Sequence, residues 1–257
     1  MLGMTERGIS GVVVAATLTV LFAGCGAGRT HGVAGAHVTL ARHCAAGARR
    51  AVGPAGASWA ALLVRPAVAY RAPDRARIAR FGLLNVNGVS TVFGVVGEQV
   101  DARCRTRWLH VLLPMRPNGA VGWVRASHVQ LVRVRTRIVV DLSERRVRFY
   151  KRGRLVLSSP AAIGSSATPT PLGRYYVNQR LIPRDPGGPF GPGAVGISAF
   201  SPVLTGWTQG GPIAIHGTNE PWSIGRAVSN GCIRLPNTAL RKLFRQTPSG
   251  TPVLIRR

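Results

Sequence analysis

The chain has 257 residues, 46% of them hydrophobic, with 34 Lys+Arg against 8 Asp+Glu and a formal net charge of +26. That hydrophobic fraction excludes an intrinsically disordered chain, and the length holds one large or two small domains. The charge suits a polyanionic neighbour such as an anionic lipid surface or a bacterial wall, or reflects a skewed coding composition. Nucleic acid is not expected, because the arginines are scattered through strand-like segments without a nucleic-acid-binding motif.

At the N-terminus, Arg7 precedes an apolar run from Ile9 to Phe22, then Ala23-Gly24-Cys25. The run is short for a membrane-spanning helix and predicts a signal peptide over 1–25. Leu21-Phe22-Ala23-Gly24-Cys25 resembles a bacterial lipobox, which implies lipidation of Cys25 and attachment to the membrane. Simple cleavage or an uncleaved anchor is the alternative, and each route predicts export to the cell envelope, facing the wall. Residues 26–58 are rich in Gly and Ala without a period of 2 or 3.6, and predict a flexible linker. His31, His37 and His43 recur every six residues there, and are expected to be solvated rather than metal-bound.

Over 59–133 the chain breaks into short apolar segments: Ala60–Val64, Val92–Val96, Trp108–Leu113 and Val121–Val124. Asn87-Gly88 and Asn118-Gly119 are turn signals between them, and the spacing predicts a small barrel. The run from Trp108 to Pro114, then Arg116–Gly119 and Gly122-Trp123-Val124, resembles a bacterial Src-homology-3-like domain. Trp108 and Trp123 are read as core residues before groove residues.

A second domain is expected over 135–257. Ile138–Leu142 and Val147–Tyr150 predict a hairpin across Ser143–Arg146, with Val147 and Phe149 alternating with arginines. Thr168-Pro169-Thr170-Pro171 forbids helix and leads through Gly173 into a strand. The Pro/Gly-dense stretch 183–196 is long for a loop, and is expected to rim a cleft. Pro212–Ile215 delivers His216 at a strand end. Pro236-Asn237-Thr238 predicts a helix start with Asn237 as N-cap, apolar through Leu240, Leu243 and Phe244. Pro252–Ile255 closes the chain as a strand.

The chemistry concentrates at His216-Gly217-Thr218 and Ser229-Asn230-Gly231-Cys232-Ile233-Arg234. A cysteine beside a glycine, with a histidine one strand and loop away, is what a thiol nucleophile and its base require. These two segments, together with the Thr-Pro-Thr-Pro-x-Gly stretch, resemble the L,D-transpeptidase (YkuD-type) catalytic domain over about 135–257. The resemblance implies a mostly β fold: a small SH3-like barrel followed by a β-sandwich catalytic domain with one short helix. It implies Cys232 as nucleophile and His216 as its proton acceptor, acting on a peptidoglycan stem tetrapeptide. Acylation of Cys232 by carbapenem-type inhibitors follows from the same resemblance. Asn230 stands where the family often carries His.

His216 is expected to pull the Cys232 thiol pKa toward neutrality through an ion pair. The Gly231 and Cys232 amides are expected to hold the oxyanion. Arg234 either orients a substrate carboxylate or braces the loop by an ion pair. Gly217 belongs to the same segment, and Thr218 and Ser229 either hydrogen-bond the imidazole or serve as turn residues. No cofactor or metal is expected. With Cys25 assigned to lipid and Cys232 to catalysis, Cys44 and Cys104 remain as a disulfide pair closing a loop of about 60 residues, worth about 4 kcal/mol. A cysteine hydrolase of stem peptides and an exported wall-binding module with a vestigial site stand as alternatives. The acceptor and the oligomeric state are not legible.

Overall fold

Alternation of apolar and charged side chains builds the first hairpin of the C-terminal half. In the computed structural model, which describes residues 43–257 other than Ala55, Val147 and Phe149 are fully buried while Arg146 and Arg148 lean outward. The signal peptide and lipobox expected over 1–25, Cys25, and the first part of the linker, residues 26–42 with His31 and His37, lie outside the described residues.

The first eight strands make one sheet. They are β1 (Arg49–Arg50), β2 (Ser58–Leu63), β3 (Ala67–Tyr70), β4 (Arg77–Phe81), β5 (Val92–Val100), β6 (Thr106–Leu112), β7 (Val121–Arg125) and β8 (Val129–Val134). Their hydrogen-bonded order is β4-β3-β7-β6-β5-β2-β8, with β1 also paired to β5. Phe93, Leu109, Val111, Leu113 and Val124 fill its core. Trp108 and Trp123 are buried beneath cations: the Arg125 guanidinium lies 4.6 Å from the Trp108 ring and Arg49 5.0 Å from Trp123. Core packing therefore describes both tryptophans.

The linker expected over 26–58 ends earlier than its composition suggests. Arg49 and Arg50 pair with Gln99 and Glu98, and Cys44 is joined to Cys104 by a disulfide with a Cα–Cα distance of 5.1 Å. Low complexity hid this edge strand, because two exposed arginines carry no apolar period.

The next elements are β9 (Thr136–Asp141), β10 (Arg146–Lys151), β11 (Arg154–Pro160), β12 (Ile163–Gly164), β13 (Gly173–Leu181), β14 (Ala194–Phe200), β15 (Pro212–His216), β16 (Ala227–Ser229), β17 (Ile233–Arg234), α1 (Asn237–Gln246) and β18 (Pro252–Arg256). Eight of these strands form the order β11-β10-β9-β18-β13-β14-β15-β17, and β12 pairs with β16. The final strand is inserted between β9 and β13, parallel to the one and antiparallel to the other. Helix α1 packs on both β11 and β15, near opposite ends of that order. The sheet therefore folds over one core, in which Phe149, Val177, Ile197, Ile215, Leu240 and Val253 meet. The eight strands form a single continuous path. Leu240 and Leu243 are fully buried, each worth about 2 kcal/mol.

The two sheets also pack against each other. A β-carbon at Gly94 of β5 would lie 2.9 Å from the Tyr176 ring of β13, and one at Gly250 would lie 2.2 Å from Ala60 Cβ. Glycine is required at both places because the opposite chain leaves no room for a side chain. Polar bonds extend the seam. Asn118 accepts from Phe200 N and donates to Phe200 O, each at 2.8 Å. Arg116 donates to Ser201 O at 2.6 Å and Gly210 O at 2.8 Å.

Candidate active site

The parallel pairing of β15 with β17 places the reactive side chains. Ile215 is opposite Ile233, and His216 is opposite Arg234. Side chains alternate along a strand. The two isoleucines enter the core, fully buried, and His216 and Arg234 take the other face. Cys232, two residues before Arg234, shares that face, and the Ala214 amide donates to its Sγ at 3.4 Å. Cys232 is half-buried. It lines a cleft of about 790 Å³ together with His216, Arg234, Asn230, Phe190 and Trp207.

A braced turn presents the thiol. Gly231 has φ +106°, where a β-carbon would also approach Ile213 Cδ1 to 3.0 Å, so only glycine fits. The Ser229 hydroxyl donates to Cys232 O at 2.5 Å and accepts from Gly231 N at 3.2 Å. Thr168 Oγ1 donates to Ser229 O and Thr170 Oγ1 to Gly231 O, both at 2.9 Å. Thr170 Oγ1 also accepts from Gly164 N at 2.8 Å. The Thr-Pro-Thr stretch is thus a splint on the nucleophile turn, a role its sequence did not reveal. The expected oxyanion donor at Gly231 is corrected here: its N–H is taken by the Ser229 hydroxyl.

The imidazole is buried, 4% exposed, with Nδ1 2.6 Å from Gly217 O and the Phe190 ring edge-on at 5.0 Å between centroids. A carbonyl only accepts, so Nδ1 carries the proton and Nε2 is the free base. Burial lowers the His216 pKa to about 4, against the opposing pull of the Gly217 carbonyl; the Arg234 charge lowers it further. Burial also pushes the Cys232 thiol up, opposed by the Ala214 amide and the Arg234 guanidinium. The resting pair is therefore a neutral thiol and a neutral imidazole. This corrects the expected thiolate–imidazolium ion pair, because desolvation disfavours both charges.

The remaining predicted residues fall around this pair. Thr218 Oγ1 accepts from Glu220 N at 2.9 Å and does not bond the imidazole, so Thr218 and Ser229 are turn residues. Arg234 forms an ion pair with Glu220 while lining the cleft. Gly217 is buried, with no room for a β-carbon between Asn237 Oδ1 at 2.3 Å and Pro192 at 2.7 Å. Asn230 is exposed at the cleft. Asn237 is not the N-cap. Pro236 precedes the first helical turn, and the Asn237 side chain is spent on Thr218, accepting from its N at 2.8 Å and donating to its O at 3.0 Å. From the Pro/Gly-rich stretch, Pro189 and Phe190 line the cleft. Sequence reasoning missed Phe190, Thr168, Thr170, Glu220 and Gln179; the last also lines the cleft. Among the described residues no three His, Cys, Asp or Glu side chains cluster to hold a metal ion.

A thiol and an imidazole with a proton-free nitrogen line one cleft of a mostly β domain, an arrangement that can supply a nucleophile and a base. Residues 135–255 match the YkuD family model, the L,D-transpeptidase catalytic domain. The YkuD proteins of Bacillus licheniformis and Bacillus subtilis, both bearing L,D-transpeptidase names, are 43% identical over 119 residues and 38% identical over 120 residues. The matches take in 46% and 47% of this chain, and 64% and 65% of those relatives, so the chain spans less than two thirds of their length. A crystal structure of an Enterococcus faecium L,D-transpeptidase is similar at 28% identity and a TM-score of 0.37, over 48% of this chain and 50% of that one.

Proposed function

We propose that this protein is a peptidoglycan L,D-transpeptidase that works by cysteine acyl transfer. The observation that carries the reading is that Cys232 and His216, whose Nε2 is free of its proton, line the same cleft of about 790 Å³ where β15 runs beside β17. As Sγ attacks the carbonyl of the third residue of a stem tetrapeptide, the thiol proton passes to Nε2. The C–N bond then breaks, and the terminal D-alanine leaves with that proton on its amine. The thioester is resolved when an amine of a second stem attacks the same carbonyl, gives a proton to Nε2 of His216, and the S–C bond breaks, the proton passing back to the Cys232 sulfur. With Gly231 N–H engaged by Ser229, the Cys232 amide is the donor this reading assigns to the developing oxyanion.

The SH3-like reading of the first sheet, lipidation of Cys25 and a place in the envelope complete the proposal. The SH3-like reading is supported by the Trp108–Pro114 and Gly122-Trp123-Val124 runs, and the anchor and location by the motif at residues 21–25 and a charge of +26 suited to an anionic surface. Incubation with a stem tetrapeptide and a labelled amine acceptor tests the transfer. Labelled tripeptide–amine product is expected; tripeptide acid alone would make the protein a hydrolase.

A further inference from the structure

Gln179, in β13, is 7% exposed and lines the same cleft as Cys232 and His216. Which end of its amide is available there is decided from the first sheet. In the turn between β4 and β5, the backbone N–H groups of Asn87 and Val89 donate to Asn85 Oδ1 at 2.9 and 3.3 Å. Backbone amides can only donate, so the orientation of the Asn85 amide is fixed. Its Nδ2 must face the other way, and it donates to Gln179 Oε1 at 3.0 Å. Asn87 Nδ2 donates to the same oxygen at 2.8 Å, and Asn87 Oδ1 is itself held by Gln209 Nε2 at 2.8 Å.

With Oε1 engaged twice, Nε2 of Gln179 is turned over Gly196, another cleft residue. A β-carbon there would lie 3.0 Å from Nε2 and 2.6 Å from Gln179 Cγ. Among the described residues no protein acceptor meets Nε2. The acceptor end of this amide is locked inside the protein, while its donor end stays open toward the cleft, where a ligand acceptor can reach it.

We infer that Gln179 Nε2 is a substrate-binding donor for a carbonyl or carboxylate oxygen of the acyl-donor peptide, held in place by Asn85 and Asn87 of the first sheet. The ligand atom must be an acceptor, because Nε2 can only donate. The inference rests on the acyl-transfer reading of the cleft, and it makes Asn85 and Asn87 positioning residues for that reaction.

The test is steady-state kinetics of the full chain with a stem tetrapeptide and an amine acceptor. Gln179→Glu keeps an oxygen toward the two asparagines and replaces the donor by a second oxygen; Gln179→Met keeps the length and removes the donor. Both are expected to raise KM about 10-fold or more with kcat within about 3-fold of wild type. Iodoacetamide alkylation of Cys232, which needs no peptide site, is expected to be unchanged. Asn87→Asp offers Nε2 a carboxylate inside the protein, so it is expected to turn the Gln179 amide over and raise KM similarly. Wild-type KM in the Glu and Met variants would overturn the inference while leaving acyl transfer standing. So would a fall in kcat and melting temperature with KM unmoved, which marks a purely structural role. If the wild-type chain acylates with no tetrapeptide, acyl transfer fails and this inference with it.

Discussion

Asn237 grips Thr218 by both sides of its backbone: Oδ1 accepts from Thr218 N at 2.8 Å and Nδ2 donates to Thr218 O at 3.0 Å. The first residue of α1 thereby fixes the segment that leaves β15 at His216. Asn237→Ala removes both bonds and leaves the buried Thr218 amide unpaired, at a cost of about 2–3 kcal/mol. Urea unfolding should show that loss, and the rate of Cys232 acylation should drop about 10-fold as His216 loses its orientation. Asn237→Asp, which keeps the acceptor, should fall between the two.

The pH dependence of stability follows from His216. Its pKa is about 4 in the fold and about 6.5 unfolded, so between these values the unfolded chain binds more protons and stability rises with pH. The contribution, about 3 kcal/mol, is complete above pH 6.5 and lost as pH falls toward 4. His110, also lowered by burial and by the Arg49 charge, acts in the same direction. Equilibrium unfolding from pH 4 to 7 should therefore show a positive slope that His216→Gln reduces without abolishing. An unchanged slope in that variant would contradict the burial of a neutral imidazole.

The neutral resting pair has its own signature in alkylation. Because burial raises the thiol, iodoacetamide reactivity of Cys232 should keep climbing through pH 9. A plateau near neutrality would restore the thiolate–imidazolium pair.

Thr170 makes a prediction about the splint. Thr170→Val is close in shape but strips the hydroxyl shared by Gly231 O and Gly164 N. We expect a stability loss of about 2 kcal/mol and a roughly 10-fold lower kcat with little change in KM. Thr170→Ser should recover most of both.

Local pattern made much of the fold legible. The hairpin across Ser143–Arg146 follows from alternation at Val147 and Phe149, and α1 from the Leu240–Leu243 face. The Cys232 and His216 segments were legible because a thiol, a glycine turn and a strand-borne histidine form a compact motif. What stayed hidden is long-range. Asn87 and Asn118 read as turn residues, yet their side chains bond Gln179 and Phe200, 92 and 82 positions away. Asn237 read as a helix cap because that is its commonest role beside proline, but Thr218, 19 residues upstream, competes for it and wins. The ion pair expected at Cys232 failed for a related reason: burial is set by Phe190 and the folded sheet, and no short stretch of sequence carries it.

The central claim is that Cys232 is the acylated nucleophile. Intact-protein mass spectrometry after incubation with a carbapenem, followed by peptide mapping, measures this directly. A stable adduct of one carbapenem per chain, located on Cys232 and absent in Cys232→Ala, is the predicted result. No adduct, or one that persists in Cys232→Ala, would contradict the account.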